Sequence, residues 1–217
     1  MNHKILGCLI LTLLTFQSLL SSTQNTSGLN ELESGDSLSG FIAYSSAVSL
    51  ATPDFELSRS LYFRAAEKFL KGSDSERFVE AMSKAAWTHM YRYEYLQALN
   101  ILDSTINKYS VLLDEAPVSS INLYDLQAWS FLQLSQVFNA NKAYDEVIQA
   151  IQQSGIEDHP YLSKAYFFRG TTNRQLGLLG NAKRDFIEAI KYKEEDPAWK
   201  SRIYNSLGLL AKQTGDY

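Results

Sequence analysis

The sequence predicts an all-α chain built from repeated antiparallel helix pairs. Three observations predict it. From residue 41 onward apolar residues recur at three- and four-residue spacings, as on Ala182, Phe186, Ala189 and Ile190, which share one helix face. Only 11 Gly and 4 Pro occur among 217 residues, too few for the tight turns of an all-β sandwich. The third is internal repetition: Gly170 and Gly208 stand 38 residues apart, each preceded four residues earlier by a tyrosine, and Gly177 and Gly215 repeat that spacing.

The N-terminus carries an export signal pattern. His3 and Lys4 are followed by an uncharged apolar stretch over 5–20 and then by Ser21, Ser22 and Thr23. Basic, apolar, then small is the order of a secretory signal peptide, assigned to residues 1–22. The apolar stretch is about 24 Å long as a helix, short of a ~30 Å hydrocarbon core, so an uncleaved membrane anchor is the weaker reading. Cys8 follows only a few apolar residues, which argues against a lipid-modified cysteine. It is the single cysteine, so no intramolecular disulfide and no Cys-based zinc site can form. Residues 23–40 are rich in Ser, Thr, Asn and Gly and read as a flexible lead-in.

Helix boundaries then follow in order. Pro53 separates the first two helices, and residues 41–71 hold a pair. Pro117 separates two more, with Ser119 or Ser120 able to cap the next. Ser154-Gly155 ends a helix with a residue suited to the left-handed cap. Asp158-His159-Pro160 and Asp196-Pro197 read as helix starts with proline in the first turn. Moving back 35 residues from Gly170 reaches Ser135, four residues after Phe131. The small residues Ser135, Gly170 and Gly208 are expected where two helices approach closely.

These residues resemble the tetratricopeptide repeat (TPR), a helix–turn–helix unit of about 34 residues. The clearest copy spans 163–197, with Tyr166, Gly170, the turn at Gly177, Ala182, Phe186 and Ala189. It departs from the family pattern at Arg169, where Leu is usual, and at Asn173, where Tyr is usual. The copy at 201–217 carries Tyr204, Leu207, Gly208 and the turn at Gly215. More degenerate copies hold Phe131, Leu134, Ser135, Phe138 and Tyr144, and Ala85, Ala86, Tyr95, Ala98 and Leu102, the latter with a long insertion after it. The resemblance implies a right-handed α-solenoid over 41–217, its last repeat incomplete. That would leave Ile203, Leu207 and Leu210 poorly covered, either because the chain is part of a longer one or because a partner covers the face.

No catalytic constellation is visible. A net charge of −4 argues against a nucleic-acid partner. The three His never fall in a metal-ligand spacing, and no Gly-rich phosphate loop or Gly-x-Ser-x-Gly elbow occurs. His89, on a helix over 81–92, reads as a packing histidine, and His159 as a loop residue or helix cap. No cofactor, metal or enzymatic activity is expected. The resemblance implies instead a concave groove, lined by the first helices of the repeats, that holds a protein or peptide. The groove set carried over is Lys84, Trp87, Tyr91, Trp129, Leu132, Gln136, Phe167, Thr171, Arg174, Asn205 and Lys212, with packing between helices the competing reading for Trp87, Trp129 and Phe167. The family's Lys/Asn clamp for C-terminal carboxylates is not reproduced. The resulting expectation is an exported, periplasm-facing binding scaffold. Its more specific form is the sensing part of a membrane-bound regulator, attached through the N-terminal segment or one beyond Tyr217. The alternative is a cell-envelope assembly or docking factor.

Overall fold

A computed structural model describes residues 35–50, 54–156, 159–192 and 197–215. The signal segment, most of the lead-in, Pro53, Asp158 and Asp196 lie outside the described residues. Every regular element among them is helical. In chain order these are α1 (Gly35–Leu50), α2 (Phe55–Lys71), α3 (Ser75–Met90), α4 (Tyr95–Lys108), α5 (Ser110–Glu115), α6 (Pro117–Gln133), α7 (Val137–Ser154), α8 (Pro160–Gln175), α9 (Leu179–Lys191) and α10 (Pro197–Thr214). The all-α class read from the sequence is what the chain adopts. Helix α1 begins at Gly35, so the lead-in assigned to 23–40 ends earlier than its polar composition implied.

Helix starts follow local chemistry. Asp54 caps α2 by accepting from the Leu57 N–H at 3.0 Å, and Asp74 caps α3 by accepting from Arg77 N–H at 3.1 Å. His159 caps α8 through its ring, accepting from Tyr161 N–H, with Pro160 in the first turn. Gly155 closes α7 at φ 72°, as the sequence indicated. Pro117 separates α5 from α6, as the sequence indicated. It opens α6 from within, and neither Ser119 nor Ser120 caps that helix through its side chain. The Ser120 hydroxyl donates to Leu113 O, and Glu76 of α3 reaches across to accept from Ser119 N–H at 3.2 Å. A carboxylate from a neighbouring helix therefore does what a local cap would have done. The long insertion after α4 is filled by the short α5.

One turn recurs, and it sets the register. Ser73, Tyr93, Ser135 and Gly177 each occupy a left-handed conformation, at φ 57°, 62°, 57° and 77°. Each closes the preceding helix with the same bonds. At the last, Leu178 N–H donates to Asn173 O (2.8 Å) and Gly177 N–H to Arg174 O (3.1 Å). At the third, Gln136 N–H donates to Phe131 O (2.9 Å) and Ser135 N–H to Leu132 O (3.0 Å). Tyr93, Ser135 and Gly177 are 42 residues apart, and Gly215 (φ 77°) follows 38 later.

This corrects the alignment on Ser135. Ser135 is the counterpart of Gly177, an exposed turn residue, and does not lie at a helix crossing. The crossing positions stand seven residues before each turn: Ala86, Ala128, Gly170 and Gly208. Ala86 and Ala128 are fully buried, and a Cβ on Gly170 would stand 2.9 Å from the Phe186 ring. Five residues after the turns come Ala98, Ala140 and Ala182, and nine after come Leu102, Tyr144 and Phe186, all at 0% exposure. Small residues let the helices approach, and a large one four residues further fills the gap between them.

Packing is between near neighbours in sequence. Helix α1 packs on α2, α2 on α3, α3 on α4, α6 on α7, α7 on α8, α8 on α9 and α9 on α10. The first helices also meet directly, α3 on α6 and α8 on α10. One core cluster runs from Ala43 to Leu123 and a second from Ile121 to Leu210, with Tyr124 packed against both. Ile203 and Leu210 are 1% and 2% exposed, so the expectation that they lie uncovered is corrected: they face α8 and α9 in the second cluster.

Candidate functional site

The 42-residue register reorders the residues carried over to the groove. Trp87, Trp129, Thr171 and Leu209 stand at one position, six before each turn, on α3, α6, α8 and α10. Leu132, Arg174 and Lys212 stand together three before it. Lys84 aligns instead with Leu126 and Phe168, and Tyr91 with Gln133 and Gln175. Gln136 belongs to no helix face: it is the exposed residue just before α7, where its Oε1 accepts from Asn139 Nδ2 at 2.9 Å.

Phe167 is corrected from groove to core. It is 6% exposed, packed edge-on to Trp199 (4.9 Å between centroids) and against Phe168 and Phe186. The reason is α10, whose Trp199 covers this position. Trp199 is fixed there by its indole N–H, which donates to Ser163 Oγ at 2.9 Å. Of the remaining set, Trp87 and Tyr91 touch at 5.3 Å, and Tyr91 meets Phe55 of α2 at 5.1 Å. Tyr91 is 55% exposed, so these rings form an open aromatic platform at the α2–α3 end. Trp129 is partly exposed and meets Phe168 of α8 edge-on at 5.1 Å. Thr171 spends its hydroxyl on Phe167 O of its own helix. Arg174 is partly buried, and its Nε has no partner. Asn205 and Lys212 are exposed, and Lys84 is partly so.

Two polar centres lie among these helices, neither of them read from the sequence. The first joins α6, α7 and α8. Tyr144 is fully buried, stacks on Phe168 at 5.6 Å, and its hydroxyl has no partner. Asp125 is partly buried, within electrostatic reach of Tyr144, Tyr161 and Lys164. Burial pushes the Asp125 carboxyl up to about 6, and the Lys164 charge pulls it back only in part. The same burial, and then the Asp125 charge, holds the Tyr144 phenol well above its usual range.

The second centre joins α7, α8 and α9. Asp185 is 4% exposed and accepts from Arg169 Nε (3.1 Å), Arg169 Nη2 (2.5 Å) and Asn173 Nδ2 (2.7 Å). Arg169 Nη1 also donates to Asp145 Oδ1 at 2.6 Å. Asn141 completes the set, donating to Thr172 Oγ1 and to Asn173 Oδ1. Burial disfavours the Arg169 cation, but the hydrogen bonds and charges of Asp185 and Asp145 more than offset it, and its pKa is raised. A cleft of about 520 Å³ opens beside this network, with Tyr166, Asn181, Arg184 and Glu188 on its walls. The sequence held one signal for it. Arg169 and Asn173, four residues apart on one helix face, are the two departures from the repeat pattern. Their acidic partner sits on another helix, where spacing along the chain does not point.

The two described histidines have structural partners. His89 Nδ1 lies 2.7 Å from Glu94 Oε2, and Arg92 Nε is 3.0 Å from the other oxygen of Glu94. This clasp spans the Tyr93 turn, and the His89 hydrogen bond leads the effects that lower the Glu94 pKa. Burial lowers the pKa of His159 at the start of α8. Among the described residues no group of three or more His, Cys, Asp or Glu is placed to hold a metal ion. Nor is any described helix long and apolar enough to cross a membrane.

No family model matches the chain. No curated protein sequence matches it either. Among solved structures, the chain is similar to the crystal structure of BtubC (BKLC) from P. vanneervenii, at 19% identity and a TM-score of 0.64, over 75% of this chain and 67% of that one. At that identity the likeness is one of fold.

Proposed function

We propose that this chain is an exported, non-catalytic TPR-like α-solenoid of antiparallel helix pairs that binds a protein or peptide along its first helices. In its more specific form it is the extracytoplasmic sensing part of a longer signalling protein. The observation that carries the binding reading is the alignment of Trp87 and Trp129, at one repeat position and partly exposed, beside the open Tyr91 platform. Aromatic side chains supply contact area at low entropic cost, and scattered donors such as Lys84, Arg174 and Lys212 fix the register of an extended chain. The export reading rests on the basic–apolar–small order of residues 1–22. The polar network of Arg169 and Asp185 is assigned no chemistry: its charges are answered by one another.

The test uses the full-length exported protein as bait, followed by measured affinity for the captured partner. Trp129→Ala and Arg174→Ala are each expected to weaken that affinity at least tenfold, since truncating a central anchor costs more than about 1.4 kcal/mol. Normal binding by both variants removes the groove assignment.

A further inference from the structure

Helix α10 repeats the receiving face of α8 residue by residue. Ser163, Tyr166, Gly170, Gln175 and Gly177 recur 38 positions on as Ser201, Tyr204, Gly208, Gln213 and Gly215. On α8 the first three of these residues serve the contact with α9. The Ser163 hydroxyl donates to Ala189 O at 2.8 Å. Tyr166 stacks on Tyr192, just past the end of α9, at 5.8 Å and 7°. Gly170 leaves room for the Phe186 ring, 2.9 Å from where its Cβ would stand.

On α10 the same residues meet nothing of the kind among the described residues. The Ser201 hydroxyl turns back to Pro197 O of its own helix. Tyr204 is 57% exposed where Tyr166 is 8% exposed. A Cβ on Gly208 would find no atom within 4 Å. Glycine in mid-helix is less favourable than alanine, and at Gly170 close packing offsets that cost. At Gly208 nothing in the structure does.

We propose that the Ser201–Tyr204–Gly208 face of α10 is a docking site for a helix of a separate partner protein, one that presents the face of α9. That face is a small residue, an aromatic four positions on and a small residue three further, as in Ala182, Phe186 and Ala189. The argument is continuity with an interface already in the molecule. The pairs Ala128/Tyr144 and Gly170/Phe186 place a small residue and a large ring at corresponding positions of successive repeats, and Gly208 stands next in that series. The partner's aromatic would sit over Gly208, and Tyr204 would stack on its far end.

The probe is a synthetic peptide with the sequence of residues 178–192, fluorescently labelled. It is side-chain bridged to hold its helix, because isolated helices shorter than about 12–15 residues are marginal in water. Titrated with the 1–217 chain, it is expected to bind saturably. Gly208→Leu in the protein and Phe186→Ala in the peptide are each expected to weaken binding at least about tenfold, since loss of a buried ring or of its cavity costs more than that factor. Gly208→Leu leaves the melting temperature equal or higher, because its side chain points into open space, and Tyr204→Ala gives a second, smaller loss of affinity. Absence of binding, or equal binding by the Gly208→Leu variant, overturns the proposal. So does sedimentation showing a dimer that Gly208→Leu converts to monomer, which would make a second copy the occupant.

Discussion

The α6–α7 and α8–α9 pairs share one register and treat interior polar groups in opposite ways. Four residues before the turn, α6 has Phe131 and α8 has Asn173; eight before it, Gln127 and Arg169; eight after it, Ala143 and Asp185. The second pair thus concentrates its polarity into one network in which donors and acceptors answer each other. The first pair instead carries Asp125 where the second has Phe167, and Tyr144 where it has Phe186. The Tyr144 hydroxyl has no partner, and Asp125, answered only in part by the Lys164 charge, holds its proton to a higher pH. A buried charge can be paired outright or left to bind its proton more tightly, and this chain does one in each pair of helices.

The largest test of that contrast is Asp185→Ala, which places the Ala143 of the first pair into the second. It leaves Arg169 with 22% side-chain exposure and only Asp145 as partner. What is lost is the set of hydrogen bonds that the Asp185 carboxylate accepts from Arg169 and Asn173, worth about 1.5–3 kcal/mol for each bond to a charged group and read as a lower urea midpoint. The double variant Arg169→Gln/Asp185→Ala removes both buried charges of the pair, converting two of the three positions, and is expected to recover most of the loss. A double variant as unstable as the single one breaks the account, because then the network would matter for packing and not for charge.

Gly170→Ala comes next. It installs the Ala128 of the first pair at the crossing of the second, where the methyl would stand 2.9 Å from the Phe186 ring. Overpacking of a tight crossing costs about 1–3 kcal/mol. The same substitution at Gly208, with open space around it, is expected to gain up to about 1 kcal/mol from helix propensity. Thermal melts of the two variants should therefore move in opposite directions.

Asp125→Asn probes that carboxyl through pH. The folded-state pKa of about 6 lies above the ordinary 3.8, so the folded chain binds this proton more tightly than the unfolded one. Its contribution to stability is fully present below about pH 4 and is lost as pH rises through 6. The asparagine variant has no such proton, so its advantage over wild type should grow between pH 4 and 7. It should reach about 2 kcal/mol, a little below the full linkage value because the carboxyl keeps some contact with water. An unchanged difference across that range would show the carboxyl to be paired after all.

Much of the fold was legible because it is written in short-range pattern. Apolar spacing gave the helices, and Gly155, Gly177 and Gly215 announced their turns by residue type. The repeat length was not legible, because Ser73, Tyr93 and Ser135 hold the left-handed position without being glycine. Taking Ser135 for a crossing residue shifted the register of everything before it. The proposed binding face suffered from that shift: Trp87 and Trp129 survive as equivalents, while Phe167 belongs to the core because Trp199, on a later helix, covers it. The polar centres were invisible for the same reason. Asp145, Arg169 and Asp185 come together across three helices, and no spacing along one of them records it.

The smallest effect sought is that of Tyr144→Phe, which gives α7 the ring that α9 already has in Phe186. A buried hydroxyl without a partner forfeits its hydration and gains nothing in return, whereas the ring itself fills space against Phe168. Removing the oxygen is therefore expected to leave stability unchanged or raise it by up to about 1 kcal/mol, measured by urea unfolding at pH 7. The pH dependence sharpens the result. When Asp125 is ionised its charge disfavours the Tyr144 phenolate but can accept from the neutral phenol, so any hidden pairing would make the substitution costly above pH 6 and harmless below it. A loss confined to the higher pH would mean that the first pair, like the second, answers its buried charge with a donor, and the contrast between the two repeats would reduce to one of distance.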